Sequence, residues 1–450
     1  MRIIYSMLFV VCVTTVQAQN GMWTWLHGDN VSNQPAVFGT QGIPSPANKP
    51  GAMYQACNWT DGSGNFWIFG GLAGAFDFGS ALWKYDVPTN QWTWVKGSQA
   101  SNNQGSYGTK GVPSLTNMPP CRSYGSCTWT DLNGNLWLFG GQGMLGTKND
   151  LWKYEVSTNT WTWMSGTNLN ENYGNYVGLG IPSINACPMA RAEACCTWTD
   201  PNNNLWLFGG ARSDTLTGNT ASLNDLWKYN IATNEWTWVS GSSGYNAPAV
   251  YGTMGVPSAN NVPNARAVYS RWVDNNGNLW FYGGGDFGLA KAFSDMWRYD
   301  VSSNMWTWIM GATGFNNGGS YGTQCDTIIF TNRPSSHYEN AACWTDACGR
   351  FWMYGGRALS GNNGGDIGDL WYYDVSDNRW VLAFGGFNLN NIINYGTLGV
   401  PSPTNNPGAR FGVASFYNNN NLYLFGGAGP GNFQLKNNDL WKYVINQIGR

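Results

Sequence analysis

Charge is scarce in this chain, at 11% of residues, so charged side chains that recur at fixed places are the first candidates for chemistry. Arg122, Arg191, Arg266 and Arg410 each close a Pro-x-x-Arg lead into an apolar stretch, and Met53 and His337 stand at the corresponding places in two further copies. Two residues on lie Gln55, Tyr124, Glu193, Val268, Glu339 and Gly412. Side chains two apart on a strand share a face, so Arg191 pairs with Glu193 and His337 with Glu339. Guanidinium forks suit the carboxylate of an anionic sugar or peptide, while Glu and His suit proton transfer. Arg122, Arg191, Arg266, Arg410, Tyr124 and Gln55 are therefore candidate ligand-binding residues, and Glu193, His337 and Glu339 candidate catalytic ones. The competing reading makes each arginine a scaffold residue bonded to the backbone of its own unit. Glu193, His337 and Glu339 are not repeated and escape that reading more easily. Arg266 stands six residues before its tryptophan where Arg122 and Arg191 stand seven before theirs, and a one-residue slip would turn it to the other face.

The elements that position these residues form a repeat. An aromatic residue followed by Gly-Gly occurs at Phe69, Phe139, Phe208, Tyr282, Tyr354 and Phe425. Leu/Met-Trp-x-Tyr begins at Leu82, Leu151, Leu226, Met296, Leu370 and Leu440. Trp-Thr-Trp begins at Trp23, Trp92, Trp161, Trp236 and Trp306, with Trp380-Val381-Leu382 as a worn copy. Each unit reads as four strands. Strand a ends in Trp-Thr-Asp, and a turn such as Asp131-Leu132-Asn133-Gly134-Asn135 leads to strand b at Leu136 to Phe139. Asn-Gly favours that hairpin because both residues tolerate positive φ. Strand c runs from Leu151 to Val156, and strand d from Trp161 to Met164. All 27 Trp fall in slots of this repeat, with Leu382, Tyr417 and Tyr423 taking the remaining places. Tryptophan repeated in every unit is what packing between units demands, so these rings are scaffold rather than sugar platforms. The chain opens on a lone strand d, Trp23 to Leu26, and ends on a lone strand c, Leu440 to Val444, which together complete a sixth unit.

The architecture expected is all-β: a six-bladed β-propeller of four-stranded blades, closed by the N-terminal strand d joining the C-terminal blade. The blades are placed at 50–96, 119–165, 188–240, 263–310, 334–384, and 407–450 with 21–28. The double glycine after an apolar strand, then a Tyr and a Trp at fixed distances, resembles the kelch repeat, in the variant found in the central domain of galactose oxidase. The resemblance covers about Gly21 to Arg450 and speaks to fold more than to function, since propellers are reused for many purposes. The units run to about 70 residues rather than the roughly 50 usual for kelch. The surplus lies between strands d and a, as in Tyr107 to Ser114, with related segments at Phe38, Tyr251 and Tyr395, and Cys325 to Asn332 replacing the pattern in the fifth blade. The resemblance implies a ligand site at one mouth of the central channel. Some kelch propellers bind acidic peptides through arginines at this strand start, and six-bladed secreted relatives include sialic acid mutarotases. A copper-radical oxidase is argued against, because its metal needs two His and two Tyr ligands, and only His27 and His337 exist here.

The remaining features bound the setting. Arg2, an apolar run from Ile3 to Val16 and Val16-Gln17-Ala18 read as an export signal over residues 1–18, leaving a single propeller domain over 19–450. A secreted protein, or a periplasmic one in a bacterium, is expected, with no membrane insertion, as a monomer. A net charge of −2 with no long run of one sign argues against nucleic acid as partner. No cofactor and no metal are expected: the recurring Asp150, Asp225, Asp295, Asp369 and Asp439 read as turn-forming or loop-tying residues, and turns such as Asp61 to Asn65 read as hairpins rather than calcium loops. Cys57, Cys127 and Cys196 occupy one repeated slot and are expected to stay unpaired, while Cys187, Cys195, Cys325, Cys343 and Cys348 lie off it and are free to pair. Asn30-Val-Ser and Asn58-Trp-Thr carry the glycan-acceptor pattern. The leading functional reading is a binding or adhesion module for a glycan or extracellular protein at the channel mouth. The alternative is a sugar-modifying enzyme, mutarotase- or epimerase-like, working through an Arg/Glu/His rim.

Overall fold

The computed structural model describes residues 21–193, 195–214, 219–267, 270–286, 291–339, 341–361 and 363–445, so the expected export signal over 1–18 and Val268 lie outside the described residues. Among the described residues there is no helix, and six four-stranded antiparallel sheets repeat along the chain in a propeller-like arrangement. In the second sheet, strand a is Cys127–Thr130, strand b Leu136–Phe139, strand c Leu151–Glu155 and strand d Thr160–Ser165, in that order across the sheet. Trp129 stands opposite Trp137, and Tyr154 opposite Trp161. The sixth sheet draws on both ends of the chain: Trp23–His27 pairs antiparallel with Leu440–Val444, Trp23 facing Tyr443 and Trp25 facing Trp441. Strand a of each sheet lies beside strand a of the next, and Ala414–Asn418 of the sixth beside Cys57–Thr60 of the first.

The tryptophans do structural work in distinguishable ways. The strand-b indole donates to the Asp of the preceding turn, as Trp137 Nε1 does to Asp131 Oδ2 at 2.8 Å. The same Asp takes the backbone N–H groups of Asn133 and Asn135, which closes the hairpin and uses up the carboxylate. Asp61, in the segment that superficially looks like a calcium loop, is spent the same way on Ser63, Asn65 and Trp67. The strand-a indole reaches the next sheet, as Trp59 Nε1 does to the Trp137 carbonyl at 2.9 Å and Trp129 Nε1 to the Trp206 carbonyl at 2.8 Å. The cores accordingly sit between sheets: Trp129, Trp137 and Phe139 of the second pack with Leu205, Leu207 and Trp236 of the third. A buried aromatic of this size contributes a large apolar area. The strand-d indoles of Trp23, Trp92, Trp161, Trp236, Trp306 and Trp380, with Trp344 of strand a, rest on packing alone, their N–H groups buried without a hydrogen-bond partner.

The cysteine expectation needs correction. Cys127 is disulfide-bonded to Cys195, with 5.6 Å between their Cα atoms. Cysteines in the repeated slot of different sheets stay apart, but Cys195 lies outside that slot. Cys195 precedes Cys196 by one residue, faces the opposite way, and meets the neighbouring inner strand. Cys57 and Cys196 are buried thiols. Asn58 lines the cavity between the inner strands, its amide 2.8 Å from the Ser415 carbonyl, which withdraws it as a glycan acceptor.

Candidate functional site

The arginines are removed from the ligand set. Arg191 is fully buried, and its guanidinium grips Asp225 with two bonds of 2.7 Å while also donating to the Gly209 carbonyl. Arg122 with Asp150, Arg266 with Asp295 and Arg410 with Asp439 repeat this clamp, each also reaching the first glycine of the Gly-Gly pair. Arg266 therefore faces as the others do despite its shorter spacing. The carboxylate is shared further: Asp225 takes the Trp227 indole at 2.7 Å and the Tyr176 hydroxyl at 2.6 Å. Burial works against ionisation of Asp150, and Arg122 beside it overcomes that and holds it below the usual carboxylate range. The tyrosine comes from the surplus d-to-a segment, so the clamp ties that long connection onto the sheet. A guanidinium so engaged has no fork left for a ligand.

His337 is also withdrawn from the rim. It takes the arginine place in the fifth sheet, is buried, and sets Nδ1 2.6 Å from the Ser335 carbonyl. Its ring is too short to complete the clamp, so His337 Nε2 and Asp369 Oδ1 are both buried without a hydrogen-bond partner. Burial pulls its pKa below the ordinary value, against the pull of Asp369.

What does converge is the position two residues further along. Gln55, Tyr124, Glu193 and Glu339 share φ between 51° and 66°, and Gly412 has φ 67°. This left-handed conformation is strained for side-chain-bearing residues. It arises because the chain kinks there to hand a backbone bond to the preceding sheet: Gln55 N–H donates to the Gly412 carbonyl at 2.7 Å, and Glu193 N–H to the Tyr124 carbonyl at 2.6 Å. The kink carries side chains from different sheets to the head of the space between the inner strands. Gln55 Nε2 of the first sheet reaches Glu339 Oε2 of the fifth at 3.5 Å, and Gln55 Oε1 is buried with no partner. Tyr124 packs edge-on to Tyr54 at 5.6 Å. Burial and the nearby Glu193 charge push Glu339 up to about 8, with Arg357 pulling the other way and Asp366 adding to the rise. Arg357 is itself bonded to Asp366 at 3.0 Å. Below this cluster a cavity of about 250 Å³ runs between the strands a, lined among others by Asn58, Thr128, Arg271, Cys343 and Ser415.

The resulting site gathers two carboxyl groups, an amide and two phenols, and the Arg357 guanidinium beside it is already paired with Asp366. It can accept and donate hydrogen bonds to hydroxyl groups, and burial with the Glu193 charge nearby keeps Glu339 protonated at neutral pH. Glu339 protonated is favoured in the fold, so its contribution to stability is whole below the ordinary glutamate range and is lost as pH rises through about 8. Glu339→Gln should therefore melt like the wild type at pH 4 and above it at pH 9; melting scans at the two pH values check this, and equal shifts at both would contradict it. Compared with known proteins, the chain matches no family model and no curated sequence.

Proposed function

We propose that this chain is a secreted kelch-type propeller, six blades closed through the shared sixth sheet, acting as a binding or adhesion module for a glycan or an extracellular protein at the channel mouth. The cyclic neighbour order of the inner strands supports closure, and the leader segment together with a disulfide suits an oxidising compartment. The observation that carries the ligand site is the meeting of Gln55 with Glu339 from non-adjacent sheets, on strained backbone, with a buried amide oxygen left unmatched. Strain of this kind persists where the surroundings over-determine it, which is common at ligand sites. With the arginines clamped, the ligand suited to this mouth is a neutral sugar or other polyhydroxylated group rather than the acidic one that the strand-start arginines suggest.

The raised Glu339 beside Glu193 favours a second reading, an anomer-exchanging or epimerase-like activity with Glu339 as acid and Glu193 as base. Glycan-array binding of the mature chain, followed by NMR of anomer exchange on any ligand found, separates the two. Glu193→Gly is the informative variant. Glycine relieves the φ of 55°, and Gly412 already stands at this position in the sixth sheet. The fold should be unchanged or stabilised by about 1 kcal/mol, the usual cost of a left-handed residue with a side chain. Binding should fall at least tenfold; unchanged binding would move the ligand off the mouth.

A further inference from the structure

The first sheet departs from the clamp in every member at once. Where four others carry arginine, aspartate and tyrosine, and the fifth sheet His337 with Asp369 and Tyr321, it has Met53, Ala81 and Phe38. The two rings keep their places: Phe38 packs tilted against Trp83 at 5.0 Å, as Tyr107 does against Trp152. In the other five sheets the matching indole donates to the aspartate, at 2.7–2.8 Å in each, and here Ala81 offers Trp83 no carboxylate. The lost volume has not been refilled. A cavity of about 640 Å³ opens at this place, lined by Met53, Ala81, Phe38 and Trp83 and reached from the sixth sheet by Lys436. Lys436 is 1% exposed; burial pulls its pKa down and the Asp77 charge pulls it back up, and its ammonium stands 4.9 Å from the centre of the Phe433 ring. Asp77, which also lines the cavity, is exposed at its edge.

We propose that this cavity is a second binding site, for a small organic carboxylate with an apolar body. The carboxylate takes the place that aspartate fills in the other sheets, accepting from the Trp83 indole and neutralising Lys436. The apolar body lies against Phe38 and Met53. Burying an ammonium whose charged neighbour, Asp77, is exposed at the cavity edge is costly, and a bound anion lowers that cost. A cavity of this size falls in the range of small-molecule sites.

Fluorine NMR of 4-fluorobenzoate with the mature protein tests the proposal. Saturable binding of 4-fluorobenzoate is expected, with 4-fluorobenzamide at least tenfold weaker because it lacks the charge. Met53→Arg with Ala81→Asp rebuilds the clamp that four other sheets already fold around and should abolish binding. Lys436→Met, close in shape, should weaken it at least tenfold. Absence of 4-fluorobenzoate binding to the wild type overturns the proposal, as does equal binding of the amide or full binding by the clamp-restored variant. The channel mouth takes no part in any of these outcomes.

Discussion

Arg191→Ala and Asp225→Ala should each destabilise the protein by about 3–5 kcal/mol, because either change strands a buried charge whose partner is gone. The geometry behind this is the paired 2.7 Å contact between fully buried side chains, with no water-facing route for the remaining ion. Removing both members is a different experiment. Arg191→Met with Asp225→Ala and Tyr176→Phe copies the set that the first sheet already carries, and should cost much less than the two single losses added together. Strong positive coupling in that cycle, measured by denaturant unfolding, is the expected result. Near-additive losses would mean that the clamp is not a unit. The same comparison bears on function, since an arginine whose removal unfolds a sheet cannot be assigned to a ligand from a loss of binding.

Deleting residues 21–27 should be as damaging. Trp23 is fully buried, with its ring 5.1 Å from both Tyr354 and Tyr443, so the deletion empties a site between the fifth and sixth sheets. Loss of one buried Trp costs about 3–5 kcal/mol in large-to-small substitutions. The deletion also bares the edge of Leu440–Val444, whose unpaired N–H and C=O groups then invite pairing with another chain. A lower melting temperature and aggregation are expected by calorimetry and light scattering. Trp23→Ala separates the lost ring from the lost strand. Full thermal stability of the truncated protein would break the account of how the sixth sheet is completed.

Much of the scaffold was legible because repetition supplies its own control. Six copies of a glycine pair, a strand-c Trp and a strand-d Trp are read directly, and the lone strand at each end then has one place to go. The small extra hairpins, such as Ala211–Asp214 with Asn219–Ser222, lie in the b-to-c connections, where the copies differ in length and no column exists to read. The site was harder for physical reasons. Arginine and aspartate form two separate columns in the sequence, and nothing in either column says that they meet in a buried pair. A signal was nonetheless present: Met53, Ala81 and Phe38 depart together, which is the mark of a coupled set. The strained ring carried a signal too, in Gly412, since glycine at that position points to a backbone its neighbours adopt at a cost. A strand pattern puts Gln55 and Tyr124 on the same face as the arginine place, yet their positive φ turns them away from that face. Cys195 was invisible as a partner for Cys127 because pairing between neighbouring inner strands depends on stagger, which spacing along one chain does not reveal.

The claim on which the functional account rests is that Glu339 and Glu193 meet in a water-poor mouth on the axis. Carbon-13 NMR titration of glutamate-labelled protein, with Glu339 assigned by its loss in Glu339→Gln, measures this directly. Glu339 should titrate at about 8 and move down toward the ordinary glutamate range in Glu193→Gln. An ordinary glutamate pKa in the wild type, unmoved by Glu193→Gln, would mean that the carboxyls stand apart in water and that the mouth is not the site.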